Sequence, residues 1–197
     1  MMTQSYSDEG IADLVRNNPG QGTEGEYRYF RDVILTKSPC NLLIFGVGKD
    51  SQIWIDANKG GRTVFIEHEP EWIKVSKEHI PDMVVHQVSY ETKRSAWKRL
   101  LNRQDLLFME DLPDEVLSTA WDVIYVDSPQ GGNPRRPGRM KSIYTASVLA
   151  RRHTDVDVLF HDCDREVEKA YTDRYFGSPL LVKQTERIRH YRLRPAN

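Results

Sequence analysis

The stretch from Asn41 to Gly48 constrains the fold of this chain more than any other feature of its sequence. Four consecutive apolar residues, 42–45, end at two glycines that are separated by one residue. A continuous apolar run of this length is typical of a strand buried on both faces of a sheet. Glycines directly after such a strand let the backbone turn sharply and approach a ligand, because they carry no Cβ. The stretch therefore predicts the nucleotide-binding turn of a Rossmann-like α/β sheet.

Side chains around this turn predict how a nucleotide cofactor is held. Asp50 or Ser51 is expected to cap the helix that follows the glycines. Glu67 ends the second apolar strand 19 residues after Gly48, which is the usual distance for a carboxylate that accepts both ribose hydroxyls. Glu69 takes this role if the strand runs two residues longer. We expect the cofactor-binding set to be Gly46, Gly48, Asp50, Ser51, Glu67, Ser89 and Asp127.

The order of the strands predicts the fold class. Five strand–helix units follow one another, and two final strands, 180–184 and 188–193, lie almost back to back without a helix between them. A dehydrogenase domain would instead alternate strand and helix to its end. The pattern predicts an α/β class I methyltransferase fold, a Rossmann-like three-layer sandwich. Its mostly parallel seven-stranded sheet should end in a C-terminal antiparallel strand. We expect one S-adenosylmethionine-dependent methyltransferase domain over 23–197, after a flexible or short-helical arm over 1–22.

Composition and charge narrow the class of partner. The net charge is −1, so no global positive field recruits nucleic acid or an anionic membrane. The sequence has no apolar segment typical of a signal peptide or a membrane-spanning helix. We therefore expect a cytoplasmic protein with neither a nucleic-acid nor a membrane partner, and the oligomeric state stays open. Cys40 and Cys163 fall at opposite ends of the predicted sheet, which predicts two free thiols.

Polar residues at the ends of two further strands are the candidates for catalysis. Asp127 ends the fourth strand, and His161 with Asp162 follows the fifth. Because ligands of open α/β sheets bind at the carboxyl ends of the strands, these three side chains should share one crevice. We expect Asp127 or His161 to be the general base, with Asp162 orienting His161. Asp127 and Asp162 also suit a divalent metal through their oxygen atoms, so a metal is a second interpretation of the same pair.

Four cations near the loop after the fourth strand indicate an anionic acceptor. In a chain of net charge −1, a cation cluster at a site mouth favours a carboxylate-bearing substrate, because arginine binds carboxylates bidentately. Arg139 is the first choice, since it lies in the turn 137–140 where a helix N-terminus adds backbone donors. The predicted substrate-binding set is Arg135, Arg136, Arg139 and Lys141.

Several stretches together resemble one family. They are 38–51, 67–72, 112–115, 121–129, 137–140, 161–169 and 187–191. With them the sequence resembles the plant glucuronoxylan 4-O-methyltransferases over roughly residues 25–194. The resemblance implies S-adenosylmethionine as the methyl donor. It also implies a glycan acceptor, through the 4-OH of a glucuronic acid residue or a related small acidic acceptor. Plant members carry an N-terminal Golgi anchor and a longer insertion after the third strand, neither of which is present in this sequence, and Lys49 replaces their common histidine.

Other functions remain open at the level of the sequence. A metal-dependent, catechol-type small-molecule O-methyltransferase would use Asp127 and Asp162 as ligands. A non-catalytic module that binds S-adenosylmethionine or a glycan would need the same fold without the base. A nucleic-acid amino-methyltransferase is disfavoured, because Gln130 stands where an aromatic side chain would stack on a flipped base.

Overall fold

The computed structural model of the chain describes residues 6–194, so the first five residues of the predicted arm and the last three residues of the chain lie outside the described range. Within that range the elements follow the order helix, helix, then strand–helix units, then two strands. They are α1 (Asp8–Asn17), α2 (Glu24–Lys37), β1 (Asn41–Phe45), α3 (Ser51–Ala57), β2 (Arg62–Glu67), α4 (Pro70–His79), β3 (Val84–Gln87), α5 (Trp97–Leu100), α6 (Asp114–Ser118), β4 (Val123–Val126), α7 (Met140–Ala150), β5 (Val156–Phe160), α8 (Glu166–Tyr175), β6 (Leu181–Thr185) and β7 (Ile188–Leu193).

The seven strands form one sheet in the order β3-β2-β1-β4-β5-β7-β6. The first five are parallel, and β7 runs antiparallel to both β5 and β6. Phe45 at the end of β1 is in register with Ile66 on one side and with Val126 on the other. The ends of β1, β2 and β4 therefore lie level, and the residues that follow them meet at one edge of the sheet. The predicted parallel sheet with its antiparallel C-terminal strand is confirmed.

The alternation of side chains along β1 divides the core into two layers. Leu43 and Phe45 belong to the cluster that packs against α7 and α8. Leu42 and Ile44 point to the opposite face, where they pack with residues of α1, α2 and α3. Successive side chains of a strand point to opposite faces, and all four are at most 2% exposed. Both faces of the strand are thus covered by helices, as the continuous apolar run predicts.

The segment after β3 departs from the prediction. The charged sequence 91–103, with Trp97, Leu100 and Leu101 as its apolar stripe, predicts one helix. The structure holds only a 3-10 turn over 94–96 and the short α5 there. The backbone amides of Arg94 and Ser95 donate instead to carbonyls of the loop between β4 and α7, at 2.8 and 3.1 Å. With only Leu100 buried in this segment, apolar packing does not favour a longer helix.

The structure also bears on the two cysteines and on membrane-spanning segments. Cys40 and Cys163 are both free and buried, so the predicted thiols are confirmed. Among residues 6–194, no helix combines the length and the apolar character that crossing a membrane requires.

Candidate active site

A crevice of about 770 Å³ lies at the carboxyl ends of the parallel strands. It is lined by the turn after β1, by the strand-end residues and by two connecting segments, 17–21 and 130–133. Ten of the residues predicted for the site meet here: Gly46, Gly48, Asp50, Ser51, Glu67, Asp127, Arg136, Arg139, His161 and Asp162. The sheet topology brings them together, because each one ends a parallel strand or lies in the segment that leads from such a strand to the first residue of the next helix.

The turn between β1 and α3 needs its first glycine. Gly46 has φ +124°, and a Cβ there would lie 3.2 Å from the Cβ of Ser128, so a larger residue would be strained and crowded. Ser51 holds the turn, because its Oγ accepts from the amide of Gly48 at 3.1 Å. Asp50 precedes the helix but makes no capping hydrogen bond. Burial and the charge of Asp127 raise the pKa of Asp50 to about 6.

Glu67 lies at the end of β2, as its spacing from Gly48 predicts, and it also stabilises the turn after β1. Its side chain is buried, with Oε2 accepting from the amide of Val47 at 3.0 Å and Oε1 accepting from the amide of Glu69 at 2.8 Å. Burial raises its pKa, but the contact with His68 and the backbone amides outweighs burial and lowers it. Since a carboxylate oxygen accepts more than one hydrogen bond, Oε2 keeps capacity for a ribose hydroxyl. Glu67 therefore fixes the turn and remains a ligand candidate.

Arg139 lies in the floor of the crevice and not at its mouth. Its Nη2 lies 2.8 Å from Asp127 Oδ1 and 2.6 Å from Asp162 Oδ2, and its Nη1 donates to the carbonyl of His161 at 2.8 Å. The side chain is only 5% exposed. Because two carboxylates already match its charge, the expectation that Arg139 binds an acceptor carboxylate does not fit the structure. Arg139 instead bridges the carboxylates of Asp127 and Asp162, which follow two neighbouring strands.

His161 is enclosed by carboxylates. Its Nδ1 lies 3.0 Å from Asp127 Oδ1 and 3.5 Å from Asp162 Oδ1, and its Nε2 lies 3.2 Å from Glu26 Oε2. Burial alone would lower the pKa of the ring, but the charge of Asp127 and the hydrogen bonds to the three carboxylates raise it to about 11. An imidazolium at neutral pH has no free lone pair to accept a proton. The geometry favours Asp127 over His161 as the base.

Glu26 belongs to this cluster, although the sequence pattern points only to its role as a helix cap. In the sequence, Thr23 followed three residues later by Glu26 predicts a capping box at the start of α2, and the structure contains it. The same carboxylate, only 2% exposed, also accepts from Arg187 Nε at 2.9 Å and from Arg187 Nη2 at 2.7 Å. Burial opposes its ionisation, but His161 and Arg187 lower its pKa to about 2. No local signal identifies this role, because its partners come from β5 and from the turn between β6 and β7.

Asp162 is held by three guanidinium groups. Besides Arg139, Arg165 Nη1 lies 2.7 Å from its Oδ2, and Arg187 Nη1 lies 3.3 Å from its Oδ1. The residue has φ +59°, a conformation that non-glycine residues adopt at a cost and that clusters at functional sites. Burial raises its pKa, but His161 and the arginines lower it strongly. Arg165 and Arg187 lie in stretches that resemble the family, yet the sequence alone assigns them no task.

The donor set for a metal is present but occupied by other contacts. Ligand atoms of Asp127, His161 and Asp162 lie within 4.8 Å of one another, and carboxylate oxygens with an imidazole suit a divalent ion. The same aspartates bind Arg139. Nδ1 of His161 lies 3.0 Å from Asp127 Oδ1, and the raised pKa of His161 favours the protonated ring at neutral pH. A metal ion would therefore compete with the guanidinium and with the proton of His161.

Three predicted residues lie outside the crevice. Ser89 and Lys141 both contact Glu91, at 3.4 Å and 3.3 Å, because α7 directs Lys141 toward the segment after β3. Arg135 is exposed in the loop before α7 and does not line the crevice. Their predicted roles in binding the cofactor and the acceptor do not fit this placement.

Comparison with known proteins identifies the family. The sequence model described as IRX15/IRX15L/GXM matches residues 25–106 and 103–191. The chain belongs to this family. Glucuronoxylan 4-O-methyltransferase 3 of Arabidopsis thaliana is 35% identical over 207 residues, which cover 96% of this chain and 70% of that protein. Arabinogalactan O-methyltransferase 2 of the same plant is 34% identical over 184 residues, covering 82% and 63%. The predicted resemblance is confirmed, and the chain spans about two thirds of the length of these relatives.

Solved structures confirm the fold class. An O-methyltransferase from Bacillus cereus in complex with SAH superimposes with a TM-score of 0.59 at 12% identity, over 98% of this chain and 93% of that one. The O-methyltransferase TomG from Streptomyces achromogenes gives a TM-score of 0.51 at 15% identity, over 88% and 76%. At these identities the likeness concerns the fold, which is that of a class I methyltransferase.

Proposed function

We propose that this chain is an S-adenosylmethionine-dependent O-methyltransferase that methylates a sugar hydroxyl of a uronic-acid-containing glycan. One observation carries the proposal: a single crevice joins the glycine turn after β1, Glu67 at the end of β2 and the Asp127 cluster. The first two suit a nucleoside donor, and the third suits proton transfer. Membership of a family that includes glucuronoxylan and arabinogalactan O-methyltransferases supports a glycan as the acceptor.

The donor is held by its nucleoside along the edge of the sheet. Glu67 accepts the ribose hydroxyls, and the backbone at Gly46 and Gly48 lies close to the nucleoside. Both glycines and Glu67 line the crevice, and the turn is fixed by the contact between Glu67 and the amide of Val47. The sulfonium is thereby directed toward Asp127, which follows the neighbouring strand β4.

Methyl transfer forms a bond between the acceptor oxygen and the methyl carbon while the bond from that carbon to sulfur breaks. The acceptor proton passes to Asp127 as the new bond forms. Among residues 6–194, the contacts of Asp127 with Arg139 and His161 both use Oδ1, which leaves Oδ2 as the acceptor of the proton. Burial raises the pKa of Asp127, but His161 and Arg139 lower it. Asp127 is therefore a weak base. It removes the hydroxyl proton late in the transfer, when the bond from the acceptor oxygen to the methyl group has made that proton more acidic.

Arg165 is the residue that binds the acceptor carboxylate in this proposal. Its side chain is 34% exposed, lines the crevice and contacts Asp162 through Nη1. Within the described part of the chain, its Nε and Nη2 make no hydrogen bond or ion pair, so they remain available to a ligand. Arg187 uses all three of its side-chain nitrogens on Glu26, Asp162 and Gln21. Arg136 lies 3.4 Å from Glu69, next to the ribose side of the crevice. Arg165 contacts Asp162, so among the crevice arginines it is the one with unengaged donors that adjoins the Asp127 cluster.

A methyl-transfer assay with labelled S-adenosylmethionine tests the proposal. Glucuronoxylan, arabinogalactan, a catechol and an RNA serve as acceptors, and an Asp127→Asn variant serves as the control. Label should enter the uronate glycans and fall by about a hundred-fold or more in the variant, the usual contribution of a general base. Transfer to catechol or RNA alone would refute the glycan assignment. Donor binding without transfer to any acceptor would favour the non-catalytic module.

A further inference from the structure

We propose that a basic ridge beside the crevice, formed by residues 92–95 and 134–137, binds a second carboxylate on the same glycan chain as the reacting uronate. The proposal rests on the proposed function and deepens it, because it makes the acceptor an acidic polymer with more than one uronate. The cations of the ridge are Lys93, Arg94, Arg135 and Arg136. All of them except Arg136 lie beyond the lining of the crevice.

Two segments that are distant in the sequence form the ridge. The backbone amide of Arg94 donates to the carbonyl of Arg136 at 2.8 Å. The amide of Ser95 donates to the carbonyl of Pro134 at 3.1 Å. These hydrogen bonds hold the segments side by side, and a proline at each end of 134–137 restricts the backbone there. The cations of both segments therefore share one surface with a fixed backbone.

The distribution of acidic residues sets this surface apart. The protein has 29 aspartates and glutamates against 28 lysines and arginines, yet no acid falls within 92–104 or within 128–154. Arg136 contacts Glu69 at 3.4 Å. Across the part of the chain that the structure describes, ion pairs are made by none of the other three ridge cations, which are Lys93, Arg94 and Arg135. The ridge therefore carries unneutralised positive charge in a protein that is almost neutral.

The ridge continues the wall of the crevice. Residues 130–133 line the crevice, and the second segment of the ridge follows them directly in the same loop. Arg94 joins the two structures, because its Nη1 donates to the carbonyl of Gly131 at 3.1 Å. The crevice measures about 770 Å³, and pockets of about 300–1,000 Å³ enclose a single small ligand. Once the donor is bound, the rest of a glycan chain must leave the crevice across its rim.

An acidic glycan fits the ridge better than other polyanions. Guanidinium and ammonium groups bind carboxylates through charge-assisted hydrogen bonds, and a uronate bound in the crevice keeps further carboxylates of its chain close to the rim. Proteins that bind single-stranded nucleic acid generally add aromatic side chains for base stacking, and neither segment of the ridge contains one. Neither segment is an amphipathic helix, which binding in a membrane interface generally uses.

Paired acceptors test the role of the ridge. One oligosaccharide carries a single glucuronate. The other carries a second glucuronate that is already methylated, so that both acceptors offer one reactive residue. At low salt the native protein should show a kcat/KM about five-fold higher for the second acceptor, the scale of two exposed ion pairs. At about 1 M salt the two values should become equal, because screening is then nearly complete. Lys93→Gln/Arg135→Gln should remove the preference and leave transfer to the single-uronate acceptor unchanged.

Lys59→Gln/Arg194→Gln is the matched control. It also removes one lysine and one arginine, but from the opposite edge of the sheet, where Lys59 precedes β2 and Arg194 follows β7. Both residues are exposed, and their variant should keep the preference for the second acceptor. Fluorescence anisotropy with a labelled oligoglucuronate adds a measurement that needs no turnover. The ridge variant should weaken this binding about five-fold, and the control variant should leave it unchanged.

Two kinetic outcomes would overturn the proposal: the native protein shows no preference, or the preference survives in the ridge variant. An RNA of equal charge, or anionic vesicles, displacing the oligoglucuronate more effectively than unlabelled oligoglucuronate does would also overturn it. Absence of transfer to every glycan would refute the proposed function instead. In that case, oligoglucuronate binding that is lost only in the ridge variant would still support the ridge as a glycan-binding surface, and equal binding by all variants would overturn it.

Discussion

The imidazole of His161 lies 3.0 Å from Asp127, with Nδ1 facing Oδ1. Although burial disfavours a charged ring, the charge of Asp127 and hydrogen bonds to neighbouring carboxylates raise the pKa of His161 to about 11. At neutral pH the residue is a buried cation that orients a carboxylate. Its role in the proposed reaction is therefore to position Asp127 and not to accept the acceptor's proton.

The first prediction concerns stability as a function of pH. The folded pKa of His161 lies above the unfolded value of about 6.5. Its stabilising contribution is therefore complete below about pH 6.5 and is lost as pH rises toward 11. We expect His161→Gln to be most destabilised, relative to the native protein, at pH 6. The difference should shrink between pH 7 and pH 10, by up to about ten-fold in the unfolding constant per pH unit. Urea unfolding at several pH values measures it.

A His79→Gln variant is the control for that series. His79 is exposed on α4, and among residues 6–194 its ring contacts only the backbone carbonyl of Val75. Its variant should differ little from the native protein at any pH. A His161→Gln difference that stays constant from pH 6 to pH 10 would contradict the protonated state of His161.

The second prediction tests whether Asp127 is the general base. Asp127→Asn should lower kcat by about a hundred-fold or more, because an amide oxygen does not take the acceptor proton. Arg139 and His161 retain an oxygen to contact, so the fold should persist. Donor affinity measured by calorimetry checks that the crevice is intact. Near-native turnover of Asp127→Asn would place the base elsewhere in the crevice.

The third prediction concerns the acceptor. Arg165→Ala should lower kcat/KM for a glucuronate-bearing oligosaccharide at least about ten-fold more than for its neutral glucose analogue, because a charge-assisted pair is lost only with the uronate. Steady-state kinetics on both acceptors measures the difference.

Arg136→Ala is the matched control for the acceptor prediction. Arg136 also lines the crevice, but it lies beside Glu69 on the ribose side. It should affect both acceptors equally. If Arg165→Ala reduced activity on both acceptors to the same extent, Arg165 would serve only to hold Asp162.

The fourth prediction concerns divalent metal. An ion bound by Asp127, His161 and Asp162 must displace the proton of His161 and the guanidinium of Arg139. Binding of Mn²⁺ should therefore be weak at pH 6 and strengthen toward pH 9, because the proton competes less at higher pH. Calorimetry at both pH values tests this, and affinity independent of pH would argue against His161 as a ligand. Activity lost to a chelator and restored by the ion would assign both aspartates as ligands.

Local patterns in the sequence predict most of the fold. The apolar run before Gly46 predicts a strand that is buried on both faces. A strand with one face in solvent would instead alternate apolar and polar residues. The capping box of Thr23 and Glu26 predicts the start of α2, since its hydrogen bonds join residues three apart. The final strand pair predicts the antiparallel end of the sheet. The predicted helix over 91–103 does not form, because the backbone amides of Arg94 and Ser95 donate to carbonyls of a loop that is distant in the sequence. Local patterns do not contain this contact.

The charge pairing in the crevice was decided by the tertiary structure. From the sequence, Arg139 is one of four cations near a loop, and Glu26 is a helix cap. In the fold, Arg139 bridges Asp127 and Asp162, while Glu26 contacts His161 and Arg187. The positions of strand-end acids follow from local periodicity, so the sequence determines them. Which cation each acid binds depends on helices and turns that are distant in the chain, and only packing brings those together.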